Sequence, residues 1–67
     1  MDHLDSTGII GETELAQWAD LSVAVLRKWR REGRGPRYLK LGRLVRYRVR
    51  DVDLWLNAHA VERGRKA

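Results

Sequence analysis

Apolar residues recur at helical spacing over residues 12–19, the first segment of the chain with a clear periodicity. Gly11 precedes this segment and can serve as its N-cap, with Thr13 as an alternative cap. The stripe expected to face inward comprises Leu15, Ala16 and Ala19. The pattern therefore predicts a first helix of about two turns.

A second helix is predicted over residues 23–32, after a very short connection. Ser22 is a good N-cap for it, and Gly33 stands where glycine commonly ends a helix. Leu26 and Trp29 lie three residues apart on one face of this helix, and Arg27, Lys28 and Arg31 point elsewhere. Two short helices joined by a tight turn are the organisation of a helix-turn-helix.

A β-hairpin is predicted after the helix-incompatible break at Arg34-Gly35-Pro36. Gly42-Arg43 fits a two-residue type II′ loop, because glycine occupies its first central position. That loop pairs Leu41 with Leu44, Lys40 with Val45, Leu39 with Arg46 and Tyr38 with Tyr47. The face expected to meet the core carries Tyr38, Lys40, Val45 and Tyr47. The opposite face then carries Leu39, Leu41, Leu44 and Arg46.

A third helix is predicted over residues 50–62, where Asp51 and Asp53 in the first turn complement the helix dipole. The stripe expected to seal the core comprises Val52, Trp55, Leu56 and His59, with His59 as a structural histidine. A second apolar stripe comprises Leu54, Ala58 and Val61. The order helix, helix, hairpin, helix predicts a mostly α fold with a small β-hairpin, the winged helix-turn-helix.

Length and composition limit the classes of protein to consider. At 67 residues we expect a single domain over residues 9–62, with flexible termini at 1–8 and 63–67. Cysteine is absent, and His3 and His59 are too few for a metal site, so we expect neither a metal nor a cofactor. The sequence has no secretory signal and no apolar run of the ~18 residues that span a bilayer, which predicts a soluble intracellular protein.

The basic residues are concentrated in one part of the chain. Residues 27–50 contain eleven of the fourteen basic residues and a single acid, Glu32, for a net charge of +10, whereas the other 43 residues carry −5. Because this stretch has so few acids, we expect no ion pairing to occupy its arginines. One strongly positive surface favours a polyanionic partner, and DNA is the first to consider. The alternative is a module whose basic face binds an acidic protein.

Catalysis is not expected. Tyr47 between Arg46 and Arg48 is similar to a tyrosine nucleophile with arginine phosphate clamps, as in DNA strand-cleaving enzymes. However, Tyr47 is expected to face the core, and the sequence offers it no general acid or base. We therefore predict a binding protein and not an enzyme.

A series of short motifs has a characteristic order: Glu14-Leu15-Ala16, Leu26 with Trp29 and Gly33, Gly35-Pro36, Lys40-Leu41-Gly42-Arg43, Val45-Arg46-Tyr47, and Asp51 with Trp55-Leu56. In these motifs, residues 10 to about 58 resemble the small excisionase-like DNA-binding domains. That family includes phage recombination directionality factors and AlpA-like regulators, and it is related to the MerR-type winged helix. Gly11 and Ala19 depart from the family pattern, which usually has a Ser/Thr cap and a larger apolar residue there.

In a helix-turn-helix the second helix enters the major groove by its N-terminal part. The residues expected to reach base edges are Val23, Ala24, Arg27 and Lys28. Phosphate contacts are expected from Ser22, Arg30, Arg31 and Arg34. The hairpin would be the wing, with contacts from Lys40, Arg43 and Arg46. Arg43 at its tip can enter the minor groove, or it can be only a turn residue, with Arg46 a phosphate contact.

The resemblance implies head-to-tail filaments that bend double-stranded DNA, with a tyrosine integrase as a possible partner. The apolar surfaces available for self-assembly are Leu39, Leu41 and Leu44 on the wing and Leu54, Ala58 and Val61 on the third helix; alternatively, one of them packs on residues 4–10. An excisionase in the cytoplasm of a bacterial host, associated with the nucleoid and not with a membrane, is the leading hypothesis. The alternative is an AlpA/MerR-like transcriptional regulator of a phage or mobile element, and the sequence does not separate the two.

Overall fold

A computed structural model describes residues 7–61 of the chain. Its elements, in chain order, are β1 (Ile9–Gly11), α1 (Glu12–Ala19), α2 (Val23–Arg31), β2 (Leu39–Leu41), β3 (Leu44–Arg48) and α3 (Val49–Ala58). The three strands form one antiparallel sheet in the order β1-β3-β2. Three helices and this small sheet confirm the predicted winged helix-turn-helix. Of the termini predicted to be flexible, residues 1–6 and 63–67 lie outside the described residues.

The helix-turn-helix forms through the local signals at its ends. Gly11 is the N-cap of α1, and Thr13 lies inside the helix, so the alternative cap is wrong. Asp20 closes α1 in the left-handed conformation, with φ 58° and ψ 46°, and its N–H donates to the carbonyls of Ala16 and Gln17. Ser22 then caps α2, because its Oγ accepts a hydrogen bond from the Val25 N–H at 3.0 Å. The predicted turn between the two helices is confirmed.

α2 ends at Arg31, one residue before its predicted end, and Glu32 is its C-cap. Gly33 follows with φ 72°, a conformation that glycine adopts at little cost. The N–H of Arg34 returns to the Trp29 carbonyl at 2.7 Å, which satisfies a carbonyl of the last helical turn. The chain then leaves the helix toward β2.

The hairpin has the predicted register, with Leu41 opposite Leu44, Lys40 opposite Val45 and Leu39 opposite Arg46. Gly42 has φ 66°, and Arg43 is not among the residues of positive φ, which is the combination that a type II′ turn requires. Tyr38 lies before β2 and does not pair in the ladder with Tyr47, although their ring centroids are 6.3 Å apart. The fourth predicted pair is therefore a side-chain contact only.

A third strand was not predicted. β1 pairs antiparallel with β3, which places Ile10 opposite Tyr47 and Gly11 opposite Arg46. The Val49 N–H donates to the Gly8 carbonyl at 2.9 Å and extends this pairing by one bond. β3 is consequently the central strand of the sheet, and the wing is joined to the segment that leads into α1.

The core lies between α1, α2, the start of α3 and one face of the sheet. Its buried residues are Ile10, Leu15, Ala16, Leu26, Tyr47, Val49 and Val52. Tyr47 is 1% exposed and Val45 is half-buried, as predicted for the core face of the hairpin. Tyr38 and Lys40 are exposed, so that part of the prediction is wrong. Lys40 lies on the edge strand β2 and Tyr38 directly before it, and the helices cover β3 more fully than this edge.

α3 begins at Val49 and ends at Ala58, four residues before its predicted end. Val52 is fully buried and Trp55 is half-buried, but Leu56 and His59 are exposed, which corrects their assignment to the core. Trp55 packs on Trp29 of α2 with ring centroids 5.4 Å apart. Beyond Trp55 the helix leaves the core, so packing no longer supports further turns.

No helix among the described residues is long and apolar enough to cross a membrane.

Candidate nucleic-acid interface

The N-terminal half of α2 exposes a strip of three predicted base-reading residues. Ala24, Arg27 and Lys28 follow helical spacing, and their side chains are exposed, to 58% for Arg27 and 57% for Lys28. Val23 is half-buried and packs against the core, so less of its surface is available than that of Ala24. The structure therefore brings Ala24, Arg27 and Lys28 together on one open helix face.

The α1 residue Glu12 contacts this strip. Its carboxylate accepts from Arg27 Nη2 at 2.6 Å and from Arg27 Nε at 3.2 Å. The expectation that no acid would pair with the basic stretch is therefore wrong. The expectation rested on the acids within that stretch alone, whereas Glu12 lies in the preceding helix, fifteen residues from Arg27 in sequence.

Arg30 lies beneath the strip and is largely occupied by internal contacts. Its Nη1 donates to the Tyr47 hydroxyl at 2.8 Å, and its Nη2 donates to Glu12 Oε1 at 3.1 Å. Its guanidinium carbon also lies 5.7 Å from the centroid of the Tyr38 ring. The side chain is only 17% exposed. A phosphate contact by Arg30 stays a prediction, and it would have to use the donors that these contacts leave.

These contacts shift the ionisation of all three groups. The hydrogen bond from Arg27 lowers the pKa of Glu12, and Arg30 adds to this against the opposing effect of burial. The same hydrogen bond raises the pKa of Arg27. Burial opposes the charged form of Arg30, but its bonds to Tyr47 and Glu12 outweigh this and raise its pKa. All three groups are therefore held in their charged forms at neutral pH.

The predicted phosphate contacts at the two ends of α2 have different surroundings. Ser22 is exposed, and while its oxygen caps the helix its hydroxyl hydrogen stays available for donation. Arg31 is exposed on the last turn. Arg34 is 63% exposed and pairs with Glu32 at 3.0 Å. Such exposed pairs contribute little to stability, and a phosphate can replace the carboxylate.

On the wing, the three predicted contact residues do not converge. Arg43 is exposed in the turn at the tip. Lys40 and Arg46 lie on opposite faces of the sheet, because Lys40 pairs with Val45, the neighbour of Arg46. Arg46 is half-buried, and its Nη1 donates to the Val45 carbonyl at 2.8 Å. A single DNA groove can therefore contact Arg43 together with Lys40 or with Arg46 more readily than it can contact all three.

Basic residues outside the predicted site are also exposed, namely Arg37, Arg48 and Arg50. Arg48 pairs with Asp51 in the first turn of α3 at 3.4 Å. Arg37 follows the buried Pro36 in the segment between α2 and the wing. The concentration of basic residues in the sequence indicated that these arginines belong to the positive stretch. Only the structure shows that their side chains are exposed to solvent.

The two apolar surfaces predicted from the sequence stay largely exposed within residues 7–61. The sheet surface consists of Ile9, Leu41 and Leu44 on the outer face, each between 52% and 55% exposed. The helix surface consists of Leu54 and Ala58 of α3, both exposed, Leu54 to 66%. Val61, the third residue of the predicted stripe, is exposed but lies beyond the end of α3. The alternative that one of these surfaces packs on residues 4–10 is not supported by the described residues 7–10. β1 pairs with β3 but leaves Leu41 and Leu44 open, and residues 4–6 lie outside the described part of the chain.

The family model described as a helix-turn-helix domain matches residues 12–60, which include both helices of the motif, the wing and α3. No curated protein matches the chain. The matched range contains every residue predicted above to contact DNA.

Proposed function

The chain belongs to the helix-turn-helix domain family, that of the excisionase-like and AlpA-type small DNA-binding domains, and we propose that it binds double-stranded DNA sequence-specifically as an excisionase. In this role it binds DNA and is not itself an enzyme. Copies bind side by side near a recombination junction in a bacterial cell, bend the DNA and direct a tyrosine integrase toward excision.

The observation that carries this proposal is the exposed strip Ala24, Arg27 and Lys28 at the start of α2. Arginine and lysine donate to guanine O6 and N7, and a small apolar side chain such as Ala24 suits a thymine methyl group. The strip follows the tight turn directly, so the N-terminal part of α2 can enter the major groove while α1 crosses the backbone. These are the requirements for reading base edges.

Backbone contacts supply most of the affinity in this proposal. Ser22, Arg31 and Arg34 flank the strip, and Arg43 extends the basic surface toward the neighbouring groove. If about six to ten basic residues meet phosphates, the logarithm of the binding constant falls with the logarithm of salt concentration by about 0.9 per contact. Binding should therefore weaken steeply between low and physiological salt.

The small size of the domain favours assembly of several copies along DNA. One module of this kind buries roughly 600–1,000 Å² of its surface on DNA, which gives modest affinity by itself. The sheet surface and the helix surface lie on different elements, and both stay exposed. Contact between the sheet surface of one copy and the helix surface of the next would add affinity and would set a repeated spacing.

Footprinting with a circular-permutation bend assay, on DNA from the neighbourhood of the gene, tests the proposal. We expect protection that repeats at about one helical turn, together with a bend. One discrete unbent site overlapping a promoter would instead identify a transcriptional regulator of the AlpA type. Absence of any sequence-dependent protection would contradict specific DNA binding and would favour a basic module that binds an acidic protein.

A further inference from the structure

We propose that Glu12 is a specificity-determining residue that positions Arg27 for a guanine, an inference that rests on the proposed sequence-specific DNA binding. Glu12 lies outside the motif residues expected to contact DNA. Its carboxylate nevertheless accepts hydrogen bonds from two nitrogens, Nε and Nη2, of Arg27, the central arginine of the exposed strip. This pair either keeps Arg27 away from DNA or orients it for contact with a base. The nitrogens of Arg27 that Glu12 occupies decide between the two.

Glu12 uses one edge of the Arg27 guanidinium and leaves the other edge open. A guanidinium has five N–H donors in a rigid plane, one on Nε and two on each terminal nitrogen. Glu12 takes the edge formed by Nε and Nη2. The remaining edge, formed by Nη1 and the second Nη2 hydrogen, presents two parallel donors. Two parallel donors match the O6 and N7 acceptors of guanine in the major groove.

A series of contacts connects this arginine to the core. Tyr47 is 1% exposed, Arg30 has a side chain 17% exposed, Glu12 is 20% exposed and Arg27 is 58% exposed. Arg30 donates one hydrogen bond to the Tyr47 hydroxyl and another to the Glu12 carboxylate. The same carboxylate accepts from Arg27. Glu12 is thus itself held in place from the interior. An exposed arginine loses rotamer freedom when it binds DNA. Because Glu12 already restricts Arg27 in the free protein, less of this entropy is lost on binding.

The charge of Glu12 adds discrimination. A carboxylate beside DNA repels the phosphates on every sequence, so it weakens binding to random DNA. It favours binding only where the oriented Arg27 edge meets a guanine. Glu12 therefore raises the ratio of specific to random affinity more than it raises affinity itself.

Glu12→Gln tests the inference on a duplex that the wild type selects from a random-sequence library, against a random duplex of equal length. We expect the variant to bind random DNA more tightly and its ratio of specific to random affinity to fall about tenfold, the range of one bidentate base contact. Asp20→Asn is the matched control. It removes one charge from the exposed turn beside α2, at a residue with φ 58° that asparagine tolerates, and should change both affinities equally.

Glu12→Asp separates position from charge. It keeps the carboxylate but shortens the side chain by one methylene, so the hydrogen bonds from Arg27 Nε and Nη2 cannot all keep their lengths. We expect the affinity ratio to fall although binding to random DNA stays at the wild-type level. An unchanged ratio in both Glu12 variants, with their folds intact by circular dichroism, would overturn the inference.

Arg27→Ala shows which proposal has failed if the results disagree. We expect it to abolish the guanine preference at one position of the selected site, and Glu12→Gln to cause no further loss in that background. If Arg27→Ala loses the preference and Glu12→Gln keeps it, only the role of Glu12 is wrong. If the wild type itself selects no sequence, the proposed function fails, and the inference fails with it.

Discussion

Gly33 and Gly35, which follow α2, both have a positive φ but differ in their surroundings. At Gly33, with φ 72°, a Cβ would meet no atom within 4 Å. At Gly35, with φ 87°, it would lie 3.3 Å from Trp29 Cβ and 3.4 Å from Trp29 Cε3. Only Gly35 therefore combines a conformational requirement with close packing against a tryptophan.

We predict that Gly35→Ala destabilises the domain more than Gly33→Ala does. The left-handed conformation costs about 1 kcal/mol in either variant, and crowding against Trp29 adds about 1–2 kcal/mol in the first alone. Thermal unfolding followed by circular dichroism measures the difference, since 1 kcal/mol shifts Tm by about 4–8 °C in a domain of this size. Equal losses of Tm would show that Trp29 yields to the added methyl group.

At the same scale, Glu12 makes stability depend on pH. Its pKa is lowered in the folded protein from the usual 4.5, chiefly by the hydrogen bond from Arg27. Folding therefore favours the ionised carboxylate, and this contribution is present at neutral pH and lost as pH falls through the lowered pKa. We predict that wild type has a higher Tm than Glu12→Gln at pH 7 and that the gap closes as pH falls below about 4.5. A gap that is constant from pH 7 to pH 3 would contradict this origin.

At the scale of elements, the contact between α2 and α3 depends on a tryptophan pair. Trp29 and Trp55 have ring centroids 5.4 Å apart and an interplanar angle of 53°. Trp29 also packs against the core and against Gly35. Its side chain thus connects α2, α3 and the segment that leads to the wing.

We predict that Trp29→Ala costs about 3–5 kcal/mol and leaves the domain largely unfolded, because the total stability of so small a domain is of similar size. Trp18→Ala is the matched control, since Trp18 is 38% exposed on α1. Guanidinium denaturation of both variants gives the comparison. If both lose the same small free energy of unfolding, the α2–α3 contact does not maintain the fold.

The sequence predicted those elements whose signals are local. α1 over residues 12–19, the Ser22 cap of α2 and the three ladder pairs of the hairpin all follow from caps, glycines and periodicity within a few residues. β1 was missed because three residues have no measurable alternation, and their partner strand lies more than thirty residues away. The end of α3 was placed four residues late because its apolar period continues after its packing partners end.

At the scale of the whole molecule, the charge distribution predicted where a positive surface would lie but not how its residues are arranged. Arg27 and Lys28 are exposed on α2 as expected. The approach of Glu12 to Arg27 and Arg30 depends on how α1 packs on α2, and the bond from Arg30 to Tyr47 depends on how the sheet packs on both. Contacts between elements distant in sequence have no periodic signal, so the sequence assigned Arg27 to base edges and Arg30 to phosphates without indicating that either contacts Glu12.

The two exposed apolar surfaces allow a test of assembly. Leu44 lies on the sheet surface and is 54% exposed, and Leu54 lies on the helix surface and is 66% exposed. Serine at either position removes apolar contact area without opening the core. We predict that Leu44→Ser and Leu54→Ser each keep wild-type affinity for a duplex carrying one site but lose cooperative binding to a duplex carrying several.

A mixture of the two variants distinguishes a head-to-tail assembly from a symmetric one. In a head-to-tail assembly each interface uses the sheet surface of one copy and the helix surface of the next. One such interface survives in the mixture, between the intact sheet surface of Leu54→Ser and the intact helix surface of Leu44→Ser. We therefore expect footprints of the mixture to extend over two neighbouring sites and no further, whereas each variant alone protects isolated sites. A symmetric interface between like surfaces would pair each variant with itself through its intact surface, so cooperative pairs in either variant alone would contradict the head-to-tail arrangement.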